Sequence, residues 1–244
     1  MVAALQEAGC VAADEEAVEL VEAAFRQGTD VAALVERRRT GEPLAWITGR
    51  TRFCGLVIQV DPGVYVPRWQ SEPMARRAVR SLPDHGVAVD LCTGSGALAA
   101  VLQAERPGAS VLATDIDPVA VACARANGVA AFAGDLDAPL PGDLHGRVNL
   151  ITAVVPYVPT EVLHLLPRDT LTFEPRAALD GGPGGMHLLA RVVDRAAALL
   201  RPGGVLILEI GGRQSVPVTG LLRRRGLVDV DVLSDEDGDE RAIA

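Results

Sequence analysis

The chain contains the run Val87-Ala-Val-Asp-Leu-Cys-Thr-Gly-Ser-Gly96, which is apolar up to an acidic residue and then bears two glycines. The residues that follow it, Ala97 to Glu105, have the composition of a helix. Glycines allow a backbone to turn tightly and to approach a ligand, and the first turn of a helix presents free N–H groups. This stretch therefore predicts a strand, a ligand-binding loop and a helix in direct succession.

The alternation of strand and helix continues to the end of the chain. Buried strands of a parallel sheet read as continuous apolar runs, and helices form the connections between them. We predict strands over residues 87–92, 110–115, 129–133, 148–155 and 204–210, and helices over 97–105, 118–127, 186–200 and 214–225. The last two runs, 227–233 and 241–244, have no helix between them and predict an antiparallel hairpin. The fold class is therefore α/β, with a doubly wound and mainly parallel sheet.

The segment before this alternation has a different character. Its first forty residues are predicted to be helical, because Val18, Val21, Ala24 and Phe25 fall on one face at helical spacing and Asp30 can cap a second helix. Short extended pieces with glycine and proline follow, and then a helix from about residue 71. We divide the chain into an N-terminal helical domain (1–50), an interdomain link of short strands and a helix (51–80) and a C-terminal α/β domain (81–244).

The composition excludes several kinds of chemistry. All 23 basic residues are arginine, which excludes a lysine Schiff base or a phosphate-binding lysine. The net charge of -9 argues against direct binding of a nucleic-acid backbone. The four cysteines lack the paired spacing of zinc sites, so we expect reduced thiols and no metal. Since there is neither a basic leader nor a long apolar run, we expect a cytoplasmic protein that does not bind membranes.

Acidic residues at the ends of successive strands indicate what the loop binds. An acid followed by Gly-x-Gly, with Ala99 in the place of the third glycine of dinucleotide-binding loops, is the form used for S-adenosylmethionine. Asp115 ends the second strand and is placed to accept hydrogen bonds from ribose hydroxyls. Asp135 follows the third strand, where a carboxylate could accept from the adenine amino group. We predict that S-adenosylmethionine is bound by Asp90, Cys92, Thr93, Gly94, Gly96, Asp115, Ile116, Asp135 and Leu136.

Over nearly its whole length the sequence resembles the HemK/PrmC family of glutamine-N5 methyltransferases. The residues that carry the resemblance are the cofactor loop and six other segments, 41–49, 53–56, 61–68, 134–136, 174–182 and 201–210. The resemblance implies a small N-terminal helical domain and a seven-stranded, Rossmann-like class I methyltransferase sheet. It also implies S-adenosylmethionine as cofactor and, as methyl acceptor, the glutamine of the Gly-Gly-Gln loop in a peptide chain release factor.

The segment that holds the acceptor in this family departs from its pattern. The family has Asn-Pro-Pro-Tyr after the fourth strand of the sheet, whereas this chain has Val154-Val155-Pro156-Tyr157. In the family, the asparagine oxygen and a backbone carbonyl accept the two amide hydrogens and orient a poorly nucleophilic nitrogen, and the aromatic ring is a platform. The side chain of Val154 can accept no hydrogen bond, and loss of such a partner typically costs about 10²–10³ in rate. The resemblance thus assigns Val154, Pro156 and Tyr157 to the catalytic position.

The resemblance also suggests which residues border the acceptor. They come from the link and from the loop after the fourth strand of the sheet, and we predict Phe53, Arg68, Trp69, Glu72, Glu174 and Arg176. Glu174 and Arg176 either contact the acceptor or form an ion pair that holds their own loop. Cys92 replaces the first glycine of the family's cofactor loop, which is tolerable if its φ is negative, and we expect its thiol to be inert.

Three functions remain open at this point. The first is methylation of a protein glutamine in a release factor. The second is methylation of a small-molecule amine or another nucleophile, which needs proximity and alignment but not two amide acceptors. The third is cofactor binding without turnover. The substitution at Val154 favours the second and third, whereas the extent of the family resemblance favours the first.

Overall fold

A computed structural model describes residues 1–244, with every side chain except that of Arg168. Its N-terminal part consists of four helices, α1 (Val2–Glu7), α2 (Ala13–Gln27), α3 (Val31–Arg39) and α4 (Leu44–Thr48). They enclose a small core that includes Leu5, Leu20, Leu34 and Ile47. The Asp30 carboxylate accepts a hydrogen bond of 3.0 Å from the backbone of Ala32, which confirms the predicted cap of the second long helix.

The predicted apolar face of α2 is not the face that is buried. Val18 and Phe25 are 59% and 92% exposed, and Val21 is exposed as well, whereas Ala24 is buried. Alanines and Leu20 instead face α1, α3 and α4. Small side chains let the helices approach one another closely, and this packing of short helices outweighs the larger apolar area of the exposed stripe.

A hairpin and a helix lead from the N-terminal helices to the main sheet. The strands β1 (Arg50–Phe53) and β2 (Leu56–Gln59) pair antiparallel around a two-residue turn. Both turn residues, Cys54 and Gly55, have positive φ, the backbone that a tight hairpin turn requires. The indole N–H of Trp46 donates a hydrogen bond of 2.9 Å to the carbonyl of Val64, which ties α4 to the link, and α5 (Glu72–Ser81) follows.

The main sheet has seven strands and confirms the predicted fold class. The strands are β3 (Val87–Leu91), β4 (Ser110–Asp115), β5 (Ala130–Ala133), β6 (Val148–Ala153), β7 (Leu200–Glu209), β8 (Val232–Ser234) and β9 (Glu240–Ile243). Their spatial order is β5-β4-β3-β6-β7-β9-β8. The first five in this order are parallel, and β9 is antiparallel to both β7 and β8, as the predicted final hairpin requires.

Helices cover both faces of the sheet and supply the crossovers. They are α6 (Ala97–Glu105), α7 (Pro118–Ala126), α8 (Arg168–Phe173), α9 (His187–Leu199) and α10 (Ser215–Arg224). Central strand residues such as Val89, Leu150 and Ile207 have no exposed surface and belong to cores on the two faces. Burial on both faces explains why these strands read as continuous apolar runs.

The fourth strand of the sheet ends earlier than predicted, so the candidate acceptor segment lies outside the sheet. Strand β6 stops at Ala153, two residues before the predicted end, and Pro156 follows shortly after. Strand order reverses between β3 and β6, because β4 follows on one side and β7 on the other. Ligands of open α/β sheets bind in the crevice at such a reversal. The segment 154–157 therefore leaves the sheet at the place where a ligand site is expected.

The three-part division of the chain stays a prediction, although the structure shows where elements fall relative to it. The four N-terminal helices end at Thr48, and α5 ends at Ser81. Among the described residues, no helix has both the length and the apolar character to cross a membrane.

Candidate active site

A largely apolar cavity lies at the carboxyl ends of β3, β4 and β6. Its wall brings together ten of the predicted site residues, from the link, the cofactor loop, the end of β4 and the segment after β6: Phe53, Asp90, Cys92, Thr93, Gly94, Asp115, Ile116, Val154, Pro156 and Tyr157. Of the residues that the structure describes, no histidine lines this cavity. General-base chemistry by histidine is therefore not offered at this site.

The backbone of the cofactor loop is left-handed at three positions. Gly94 and Gly96 have φ of 56° and 79°, as the glycines predicted. Cys92 has φ of 57°, so the expectation of a negative φ there is wrong. The turn out of β3 imposes this conformation whatever the residue, and a side chain costs about 1–2 kcal/mol there. Burial raises the pKa of the Cys92 thiol, so its neutral form persists and the thiol is a weak nucleophile.

The two glycines of the loop serve different purposes. A Cβ on Gly96 would lie 2.9 Å from the Cβ of Ala124 and 3.0 Å from its Cα, so this glycine lets α6 pack against α7. A Cβ on Gly94 would meet nothing within 4 Å, so open space lies in front of this residue at the cavity wall. A loop with open space over its backbone at the start of a helix fits the predicted cofactor.

Asp115 links the cofactor loop to the end of β4. One carboxylate oxygen accepts a hydrogen bond of 2.8 Å from the backbone N–H of Gly94. The other accepts a hydrogen bond of 3.0 Å from the backbone N–H of Asp117. Burial raises its pKa, although these N–H donors oppose the rise. Each oxygen keeps a further lone pair. Beside it, Ile116 is 72% exposed and lines the cavity, so a hydroxyl acceptor and an apolar surface lie side by side.

Asp90 is the buried acid at the base of the cavity. Its carboxylate accepts hydrogen bonds of 2.6 Å from the Thr93 hydroxyl and 2.7 Å from the Thr152 hydroxyl. Burial raises its pKa to about 6, and the two hydroxyl donors oppose this rise. Above this pH the carboxylate is a negative charge in a cavity that would hold the cationic sulfonium of S-adenosylmethionine.

The raised pKa of Asp90 predicts a pH dependence of stability. Between pH 4 and pH 6 the unfolded chain has released the proton that the folded chain still holds, so the free energy of unfolding falls as the pH rises. Because a shift of one pKa unit corresponds to about 1.4 kcal/mol, the fall is about 3 kcal/mol. We expect Asp90→Asn to gain stability relative to the wild type by about this amount from pH 4 to pH 7, measured by urea unfolding. A constant difference across this range would contradict the assignment.

Asp135 and Leu136 do not line the cavity. The Asp135 carboxylate is 2.6 Å from a guanidinium nitrogen of Arg191 on α9, and Leu136 is buried with a φ of 50°. Their contact with the cofactor stays a prediction. In this structure the Asp135 carboxylate is held by a helix that begins about fifty residues later in the chain.

Most of the predicted acceptor-binding residues lie elsewhere. The Glu72 carboxylate accepts a hydrogen bond of 2.9 Å from the backbone N–H of Cys54 and forms a salt bridge with Arg76. It therefore holds the hairpin turn against α5. Trp69 is 69% exposed and does not line the cavity. The contact of Glu72 and Trp69 with the acceptor stays a prediction, and neither residue lines this cavity.

Glu174 and Arg176 do not pair with each other. The buried Glu174 carboxylate pairs with Arg68, and the two residues line a separate polar cleft beside α4 and α8. The Arg68 guanidinium also lies 5.2 Å from the ring centre of Tyr65. Arg176 pairs with Asp180 at 3.0 Å instead. An ion pair does hold the loop, but its cation comes from the link. Contact of Arg68, Glu174 and Arg176 with the acceptor stays a prediction, and none of the three lines the apolar cavity.

Sequence reasoning missed two polar residues that contact each other next to the acceptor segment, Glu209 and Ser71. Glu209 at the end of β7 is 6% exposed, and it accepts hydrogen bonds from the hydroxyls of Ser71 and Tyr157. Burial raises the pKa of Glu209, and the hydrogen bonds from the two hydroxyls oppose this rise because they stabilise the charged carboxylate. A signal was present, because Glu209 ends an apolar strand as Asp90 and Asp115 do. Ser71 gave no signal of its own.

Comparison with known proteins agrees with this geometry. Residues 60–134 match the family described as "Methyltransferase small domain". A release factor glutamine methyltransferase of Geobacter sulfurreducens is 38% identical over 216 residues, which cover 86% of this chain and 75% of that protein. A protein of the same name from Moorella thermoacetica is 40% identical over 220 residues, covering 86% and 76%.

Solved structures show the same fold at low sequence identity. The ribosomal protein L11 methylase of Lactobacillus delbrueckii subsp. bulgaricus has a TM-score of 0.52 at 22% identity, covering 77% of this chain and 84% of that one. The catalytic domain of hMettl16 has a TM-score of 0.59 at 15% identity, covering 84% and 79%.

Proposed function

The chain belongs to the release factor glutamine methyltransferase family, and from this premise we propose that it methylates the side-chain nitrogen of a glutamine in a peptide chain release factor. It is an S-adenosylmethionine-dependent methyltransferase. Two observations support a protein glutamine as the acceptor. One is the name of the relatives, and the other is the group of residues at the acceptor end of the cavity.

The residues of the chain have separate tasks in this proposal. The bound cofactor supplies an electrophilic methyl group on a positively charged sulfur. Gly94, Asp115 and Ile116 hold it at the carboxyl ends of β3 and β4, and the charge of Asp90 offsets its positive charge. Phe53 adds an apolar side chain to the cavity wall. An amide nitrogen is then held in line, with its two hydrogens bound. As its bond to the methyl carbon forms and the bond from that carbon to sulfur breaks, the nitrogen gives up one of these two protons, which passes through its hydrogen-bond acceptor to solvent.

The observation that supports an amide acceptor is a set of backbone carbonyl groups after β6 that receive no hydrogen bond. Within the described part of the chain, no group donates a hydrogen bond to the carbonyl oxygens of Val154, Val155 or Pro156. All three residues line the cavity, although the Pro156 oxygen lies against Gly181, where a Cβ would be 2.7 Å from it. Carbonyl groups that are partly buried are normally paired, so the oxygens of Val154 and Val155 favour a ligand that donates N–H groups. A primary amide has two such hydrogens.

The test is transfer of labelled methyl from S-adenosylmethionine to a purified release factor. We expect label on the factor, located by peptide mass analysis at the glutamine of its Gly-Gly-Gln loop. A release factor in which this glutamine is replaced by glutamate keeps the fold but lacks the amide nitrogen, and it should remain unlabelled. Equal label on both factors would contradict a glutamine acceptor.

A small-molecule acceptor is the second candidate, and Val154 is the observation that favours it. An amine that has lost a proton needs no pair of hydrogen-bond acceptors, so it loses nothing by the valine. The same labelled cofactor is incubated with the small-molecule fraction of a lysate. Label there, without label on a release factor, would replace the first proposal by the second.

A further inference from the structure

The residue beside Val154 on the neighbouring strand is Glu209. Strands β6 and β7 are parallel with Ala153 opposite Leu208, so the next residue of each chain, Val154 and Glu209, continues the register. Registered neighbours of adjacent strands point to the same face and lie about 4.8 Å apart. Glu209 is therefore the polar side chain of β7 that is placed nearest to the position of the missing asparagine.

Glu209 faces the cavity through two hydroxyl groups. The Ser71 hydroxyl donates to one of its carboxylate oxygens, and the Tyr157 hydroxyl donates to the other at 3.0 Å. Ser71 and Tyr157 both line the cavity, whereas Glu209 lies behind them. They come from different parts of the chain, the link and the segment after β6.

The direction of these hydrogen bonds decides what the cavity offers. A hydroxyl has one proton and two lone pairs. Since the protons of Ser71 and Tyr157 point to Glu209, their remaining capacity toward the cavity is as acceptors. Without the carboxylate, either hydroxyl could turn and present its proton instead, which would repel an amide N–H.

We propose that Glu209 is a positioning residue that makes the hydroxyls of Ser71 and Tyr157 acceptors for one amide hydrogen of the substrate, in place of the absent asparagine oxygen. This inference rests on the proposed glutamine acceptor. The other amide hydrogen is left for a backbone carbonyl of residues 154–156. The hydroxyls and the carboxylate thus compensate for Val154 without any group at that position.

The test is a double-mutant cycle on methyl transfer to the release factor, with wild type, Val154→Asn, Glu209→Gln and the double variant. A glutamine at position 209 has an NH₂ group that donates to one hydroxyl and turns its proton toward the cavity. We expect Glu209→Gln to lower kcat roughly 10- to 100-fold in the wild-type background. In the Val154→Asn background the asparagine restores an acceptor, so we expect Glu209→Gln to lower kcat less than about 3-fold there.

Further readouts separate this role from a structural one. Affinity for S-adenosylmethionine, measured by calorimetry, should be unchanged in all four proteins, because its binding residues lie at the other end of the cavity. Ser71→Ala and Tyr157→Phe should each lower kcat in part, and they test the proposal even if Glu209→Gln unfolds. Glu16→Gln, a hydrogen-bonded carboxylate of the N-terminal helices, is the matched control and should leave kcat unchanged.

The outcomes distinguish the two proposals. Equal fold-losses from Glu209→Gln in both backgrounds, or unchanged kcat in Ser71→Ala and Tyr157→Phe alike, would overturn the inference. Label from the Val154→Asn protein alone would also overturn it, because the wild type would then lack a working acceptor. Absence of label from all four proteins would contradict the glutamine acceptor itself.

Discussion

Replacing Asp115 by alanine is expected to weaken S-adenosylmethionine binding by at least about 100-fold. The variant loses the carboxylate that faces the cavity, where each charged hydrogen bond to a ribose hydroxyl contributes about 1.5–3 kcal/mol. It also leaves the backbone N–H groups of Gly94 and Asp117 without their acceptor. The cofactor loop then loses its link to the end of β4, so both contacts and loop conformation are affected.

The affinity is measured by titration calorimetry with the cofactor, together with thermal unfolding of the free protein. Asp194→Ala is a suitable control, since it removes the same charge from an exposed residue paired with Arg225 at 2.6 Å on the far helices. The control should bind the cofactor like the wild type. Unaltered affinity in Asp115→Ala would show that the cofactor is bound elsewhere.

Replacing Gly185 by alanine is expected to destabilise the protein by about 3 kcal/mol and to abolish most methyl transfer. A Cβ there would lie 2.0 Å from the carbonyl oxygen of Tyr157 and 2.4 Å from the amide nitrogen of Gln214. The carbonyl is backbone and cannot move without moving the acceptor segment. Overpacking costs about 1–3 kcal/mol, and the φ of 69° adds about 1–2 kcal/mol.

The neighbouring glycine separates these two costs. Gly184 has a similar φ of 61°, but the atom nearest to a new Cβ is 4.0 Å away on the flexible side chain of Met186. Gly184→Ala should therefore cost about 1 kcal/mol, from the backbone conformation alone. Urea unfolding gives both values, and kcat reports the displacement of Tyr157. Equal destabilisation by the two substitutions would show that the contact with Tyr157 is unimportant.

Features that depend on neighbouring residues were predictable from the sequence. The parallel sheet follows from apolar runs of strand length separated by helices. The cofactor loop follows from Gly94 and Gly96 after a strand, and the positions of Asp90 and Asp115 follow because carboxyl ends of parallel strands meet at one edge. Each of these inferences uses only residues close in sequence and one general rule of sheet geometry.

Partners that lie far apart in the chain were decided by the tertiary structure. Arg68 pairs with Glu174 across 106 positions, and Ser71 meets Glu209 across 138. No local pattern contains either pairing. The exposed stripe on α2 has the same origin, because which face of a helix is buried depends on the helices that surround it.

The acceptor end of the cavity shows the division most clearly. The sequence by itself determined that the side chain of Val154 carries no hydrogen-bond acceptor, since side-chain chemistry needs no coordinates. Only the tertiary structure placed Glu209 beside it with the hydroxyls of Ser71 and Tyr157. The left-handed φ of Cys92 was likewise invisible in the residue itself, because the turn from β3 into α6 sets the backbone. The chemistry of a side chain is known from its residue type, whereas contacts between residues that are distant in sequence depend on how the chain packs.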